Sequence, residues 1–169
     1  MKVGGGYRGL VDEVGLYKQR ILSMNGYLLD TNIFNHLVEG KIKLDDLPLD
    51  YPIFVTHIQQ TEFMQFPHCE KRSQLLKLLK VLPDHQANLQ TLLADISCAG
   101  DACGNGKIYD QILLRLNKIE KRKSNANVHD ALIGETSIIN RLVLITNDKD
   151  FAQAVKSLGG YARNIPSTT

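Results

Sequence analysis

The chain has 169 residues, with 20 Lys and Arg against 18 Asp and Glu and a formal net charge of +2. No overall charge excess marks a nucleic-acid or membrane surface, so any such binding must rest on local patches. Hydrophobic residues make up 43% and charged residues 22%, the balance of one ordinary globular domain long enough for a sizeable core.

The longest apolar runs, such as Leu142 to Ile145, fall far short of the roughly 20 residues a membrane span needs. Three cysteines, Cys69, Cys98 and Cys103, are an odd number without framework spacing, which predicts free thiols in a reducing cytoplasm. Cys98 and Cys103 with His68 fit no standard zinc knuckle. The opening residues lack the continuous apolar core and small-residue cleavage site of a secretory signal. Residues 1–24 are read as an N-terminal extension and 25–169 as the domain.

Gly26 to Asp30 is a short apolar run ending in an acid, which predicts a buried strand. Thr31-Asn32 then opens a helical pattern with Ile33, Phe34, Leu37 and Val38 apolar and Gly40 as its stop. Ile53 to Thr56 reads as a second buried strand, and His57 to Phe66 as a helix ended by Pro67. Cys69 to Leu82 has leucines at helical spacing. Leu89 to Ile96 is ambiguous between strand and helix, and Cys98 to Lys107 is a Gly-rich loop.

Tyr109 to Lys123 predicts an amphipathic helix ending in a basic run, and Asn127 to Asn140 another helix. Leu142 to Thr146 is a further buried strand. Asp148 to Leu158 is a last helix stopped by Gly159-Gly160. Apolar strands alternating with helices predict an α/β domain with a mainly parallel sheet covered on both faces.

In open α/β sheets ligands gather beyond the carboxyl ends of the strands. Asp30 and Asp148 lie there, Glu62 falls on the helix after the second strand, and Asp130 sits near the start of the helix before the LVLIT strand. Each acid also has a plain structural use: Asp30 and Asp148 as helix caps, Asp130 at a helix N-terminal dipole, Glu62 as a solvated helix residue. Together they suit a pocket whose mutual repulsion a hard divalent cation, Mg²⁺ or Mn²⁺, would relieve. Such a site can activate water against a phosphodiester.

Four segments carry a resemblance: LLDTN (Leu28 to Asn32), VTHIQQTEF (Val55 to Phe63), NVHDALIGETS (Asn127 to Ser137) and LITNDKDF (Leu144 to Phe151). In this order they resemble the PIN-domain family, in particular the VapC-like toxins of bacterial toxin–antitoxin pairs. The resemblance implies a three-layer α/β/α sandwich and endonucleolytic RNA cleavage, with Asp30, Glu62, Asp130 and Asp148 binding Mg²⁺ or Mn²⁺. It assigns Asn32 and Thr146 as polar supports beside the first and fourth acids. It also implies a homodimer and a separately encoded antitoxin that blocks the site. Asp150 reads equally as a fifth ligand and as a first-turn helix acid.

Lys118, Lys121, Arg122 and Lys123 form a basic run ahead of Asp130, suited to an RNA backbone and equally to a solvated helix end. Lys41 with Lys43, and Lys71 with Arg72, are smaller groups of the same kind. Gly100 to Lys107 departs from a phosphate-binding loop in its spacing, with Ile108 where Ser or Thr would bind Mg²⁺. His129-Asp130 lacks the further histidines of metal phosphohydrolases, since His57, His68 and His85 form no supporting pattern. Asn32 stands where a haloacid-type phosphatase needs a second Asp.

Two other classes remain open: a PIN-like module that binds RNA or protein without turnover, and a phosphotransfer receiver domain. The presence of all four acids weighs against the first. The second needs a middle-strand phosphoacceptor Asp and a late Lys, which the strand order read here does not supply.

Overall fold

The computed structural model describes residues 24–48, 50–82, 90–92, 106–119 and 125–166. Apart from Met24, the expected N-terminal extension lies outside them, as do Cys98, Cys103 and most of the Gly-rich loop. The elements run β1 (Gly26–Leu29), α1 (Thr31–Val38), β2 (Ile53–Thr56), α2 (His57–Gln65), α3 (Cys69–Val81), β3 (Gln90–Leu92), α4 (Lys107–Ile119), α5 (Asn125–Ile139), β4 (Leu142–Thr146), α6 (Lys149–Ser157) and β5 (Tyr161–Asn164).

Among the described residues the strands form a single sheet in the order β3-β2-β1-β4-β5, and every pairing in it is parallel. The apolar runs GYLL, IFVT and LVLIT are buried at every position, because side chains alternate between two covered faces. On one face Leu29, Ile53, Val55, Val143 and Ile145 pack with Ile33 and Phe34 of α1, Phe63 of α2 and Leu75 of α3. On the other, Leu28, Phe54, Leu142 and Leu144 pack with Ile112 of α4, Ile133 of α5 and Val155 of α6. The domain is therefore a three-layer α/β/α sandwich.

Gly26 opens β1 at φ +151°, where a Cβ would fall 2.3 Å from the Pro52 carbonyl oxygen; glycine is what lets β1 and β2 approach here. Phe34 and Phe63 meet edge to face with centroids 5.0 Å apart, joining α1 to α2 by a contact worth about 1 kcal/mol beyond its buried area.

The structure adds to the expected elements and adjusts them. Tyr161–Asn164 forms β5, which the sequence pattern does not announce. α5 begins at Asn125 and has no acid in its first turn, so Asp130 lies beyond the reach of a strong N-terminal dipole effect. The ambiguous Leu89–Ile96 stretch supplies the three-residue edge strand β3.

Candidate functional site

The chain runs from β1 outward to β2 and β3 on one side, then returns to place β4 and β5 on the other. The connection order reverses between β1 and β4, and a crevice opens at such a reversal beyond the strand ends. Leu29 pairs with Ile145, so the next residues, Asp30 just past β1 and Thr146 at the end of β4, lie side by side. The Asp30 amide donates to the Ile145 carbonyl at 2.9 Å.

Asp30 is 1% exposed. Its Oδ2 accepts from Thr146 Oγ1 at 2.7 Å, while its Oδ1 is buried with no hydrogen-bond partner. Although Asp30 occupies the N-cap position of α1, it makes no side-chain capping bond. Burial pushes its carboxyl up to about 6, and the charge on Asp148 pushes the same way. The Thr146 hydroxyl and the nearby backbone amides of Thr31 and Asn32 pull against that rise. A charged carboxylate with an unbonded buried oxygen is costly.

Asp148 fulfils its capping role. Its Oδ1 accepts from the amides of Asp150 at 2.8 Å and Phe151 at 2.9 Å, and its own amide donates to Thr146 Oγ1 at 3.0 Å. Thr146 thus joins the first and fourth candidate acids. Asp150 is exposed at the start of α6, and Asn32 is exposed on α1.

Glu62 is placed by a chain of local causes. Thr56 and Gln59 form a capping box at the start of α2, and the Gln59 side-chain amide also donates to the Leu29 carbonyl. That anchors α2 to the end of β1. Glu62, three residues on, shares the face of Gln59 and meets α1, where Thr31 Oγ1 donates to Glu62 Oε2 at 2.9 Å. Its other oxygen, Oε1, is bonded to His129 Nδ1 on α5. Thr31 adjoins Asp30 in the chain and His129 adjoins Asp130, so Glu62 touches the immediate neighbours of two further candidate acids.

Asp130 is partly buried on α5. Among the described residues no three His, Cys, Asp or Glu side chains converge closely enough to hold an ion as they stand.

Of the basic residues, Lys121, Arg122 and Lys123 lie outside the described residues. Lys118 is exposed and lines a cavity of about 290 Å³ with Arg115, Asp150, Gln153, Ala154 and Ser157. Lys41 and Lys71 both pair with Glu39, at 2.8 and 2.7 Å, which makes them poorer phosphate contacts.

Three residues take a part in this arrangement that the sequence pattern does not give them: Thr31, expected only to open α1, Gln59, and His129, weighed only as half of a His-Asp pair. The T-x-x-Q spacing of Thr56 and Gln59 is a capping-box signature and was the available signal for Gln59. A further buried acid, Glu135, serves the start of α4 by accepting from the Tyr109 amide at 3.4 Å. Burial pushes its carboxyl up.

No family model matches the chain, and no curated protein does. Solved structures do. VapBC2 from Rickettsia felis, bound to a DNA fragment from their promoter, superposes with a TM-score of 0.53 at 18% identity, covering 82% of this chain and 98% of that one. FitAcB from Neisseria gonorrhoeae matches with a TM-score of 0.50 at 22% identity, covering 82% and 96%. A domain of a functionally unknown protein from Methanocaldococcus jannaschii gives 0.50 at 16%, covering 86% and 94%. At these identities the likeness speaks for architecture alone: a parallel sheet with helices on both faces gives the chain a VapC-like PIN-domain fold.

Proposed function

We propose that the chain is a metal-dependent endoribonuclease, the toxin of a toxin–antitoxin pair. In this reading Asp30, Glu62, Asp130 and Asp148 hold Mg²⁺ or Mn²⁺, with Asp150 at the margin. The observation that carries it is Asp30 Oδ1, a buried carboxylate oxygen that no donor meets at hydrogen-bond geometry, in a group that burial and the charge on Asp148 disfavour as an anion. A hard cation with oxygen ligands relieves both the missing bond and the repulsion. The donors are carboxylates, which suits Mg²⁺ or Mn²⁺ better than a soft metal.

When bound, the ion would lower the pKa of a water and offset charge on the phosphodiester. The protein's own groups supply placement. Thr146 holds Asp30 and the Asp148 backbone in register, while Thr31 and the Gln59 anchor bring Glu62 toward the end of β1. Lys118 and Arg115, on the wall of the cavity that Asp150 also lines, suit the RNA backbone on its way to the acids. The likeness to VapBC2 supports an antitoxin as partner, and a homodimer belongs to the same reading.

The test is cleavage of RNA with Mg²⁺ or Mn²⁺ by wild type, Asp30→Asn and Asp130→Asn. Both variants are expected to lose activity by about 100-fold or more while keeping the wild-type circular dichroism. Variants that cleave as fast as wild type would sink the reading. RNA bound but never cut would favour a module without turnover.

A further inference from the structure

Among the residues surrounding the candidate acids, His129 has no part in the reading above, yet it makes direct contact with one of them. Its Nδ1 is bonded to Glu62 Oε1, while Thr31 Oγ1 holds Oε2 from the opposite element at 2.9 Å. The His129 side chain is 41% exposed and that of Glu62 28%. A pair this open to water contributes little to folding. What it does constrain is geometry: a glutamate side chain has several torsions, and two bonds from α1 and α5 reduce them to one arrangement.

We propose that His129 is a positioning residue that fixes the Glu62 carboxylate for the divalent ion, a role that rests on the nuclease reading. Each carboxylate oxygen has two lone pairs, so one bond to Thr31 and one to His129 leave each oxygen able to meet a cation. Carboxylates that bind metals are commonly held by such outer hydrogen bonds. His129 also precedes Asp130 on α5, so the same helical turn sets Glu62 relative to Asp130. The bond needs only a proton on Nδ1, which the neutral ring can carry.

The test is Mn²⁺ titration of the full chain without RNA, followed by the electron paramagnetic resonance signal of the free ion. Wild type is compared with His129→Ala, His129→Asn, His129→Gln and Asp30→Asn. His129→Ala is expected to weaken Mn²⁺ binding about 10- to 100-fold without moving the melting temperature. His129→Asn restores most of the affinity because its amide nitrogen reaches the place of Nδ1. His129→Gln does not, because its amide sits where Nε2 was. In cleavage assays His129→Ala lowers kcat and leaves KM for RNA unchanged.

Wild type and His129→Ala binding Mn²⁺ equally, with binding lost in Asp30→Asn, would overturn the role of His129 alone. Wild type binding no Mn²⁺ would remove the nuclease reading and this role with it. Equal rescue by Asn and Gln would also overturn the proposal, because position would then not matter.

Discussion

The Thr146 hydroxyl donates to Asp30 Oδ2 at 2.7 Å across 116 residues of chain, at the one place in the sheet where the strand order reverses. Thr146 Oγ1 in turn accepts from the Asp148 amide at 3.0 Å, and Thr146 is fully buried. Replacing Thr146 by the similarly shaped Val leaves Asp30 Oδ2 and the Asp148 amide without their partner. The expected loss is about 1–3 kcal/mol in urea unfolding, largely recovered in Thr146→Ser. A Val variant within about 0.5 kcal/mol of wild type would show that the bridge does not hold the strand ends together.

Asp30 makes a pH-dependent prediction whose sign follows from the direction of its shift. Its carboxyl is raised from 3.8 to about 6 in the folded chain. Between those values the folded state binds the proton more tightly than the unfolded state does. Stability therefore falls as pH rises through this window, and the whole penalty is present above it. Asp30→Asn removes the charge and keeps an acceptor for Thr146. The variant is expected to be more stable than wild type by about 1–3 kcal/mol near neutral pH, with the gap closing toward about pH 4. Mn²⁺ should stabilise wild type and leave the variant unchanged. A variant less stable than wild type at neutral pH would mean that the Asp30 charge is not under strain.

Much of this arrangement was legible in the sequence because its signals are local. LVLIT marks β4 to the residue, since a strand buried on both faces must be continuously apolar, and an acid after such a run points beyond the sheet edge. β5 escaped notice for the opposite reason. In YARN only Ala162 is fully buried, and the preceding Gly159-Gly160 reads simply as a helix stop. The bond between Glu62 and His129 spans 67 residues and leaves no periodic trace, so only the packing of α2 against α5 reveals it. Gln59 lay between these cases: its capping box was readable, but its second bond to the Leu29 carbonyl depends on how β1 and β2 pair.

Gly134 is a test of how tightly α5 sits between its neighbours. A Cβ there would lie 2.9 Å from Ile112 Cδ1 on α4, 3.0 Å from Phe151 Cε2 and 3.2 Å from Val155 Cγ2 on α6. Alanine gains about 1 kcal/mol of helix propensity and loses a similar amount to crowding by these movable side-chain ends, so Gly134→Ala should be near neutral. Gly134→Val adds two methyl groups with nowhere to go and is expected to cost about 2–3 kcal/mol. Chemical denaturation distinguishes the two outcomes, and a Val variant as stable as wild type would refute the close packing.

Lys118 and Arg115 line their cavity together with Asp150, Gln153 and Ser157, and neither cation forms an ion pair with Asp150 within 4.0 Å among the described residues. If this wall carries the RNA backbone, its contribution is electrostatic and blind to sequence. Measured in the Asp30→Asn background, where RNA binds without being cut, Lys118→Gln and Arg115→Gln should each weaken binding of unrelated RNAs to a similar degree. Each should also lower the slope of log Kd against log salt by about 0.7, the value for one released counterion on a single strand. Mn²⁺ affinity of the otherwise wild-type chain should stay the same, because neither side chain supplies a ligand. An unchanged salt slope in both variants would move the RNA path off this wall. Selective loss for one RNA sequence would instead make the cavity a base-reading pocket, since a phosphate contact alone cannot discriminate between bases.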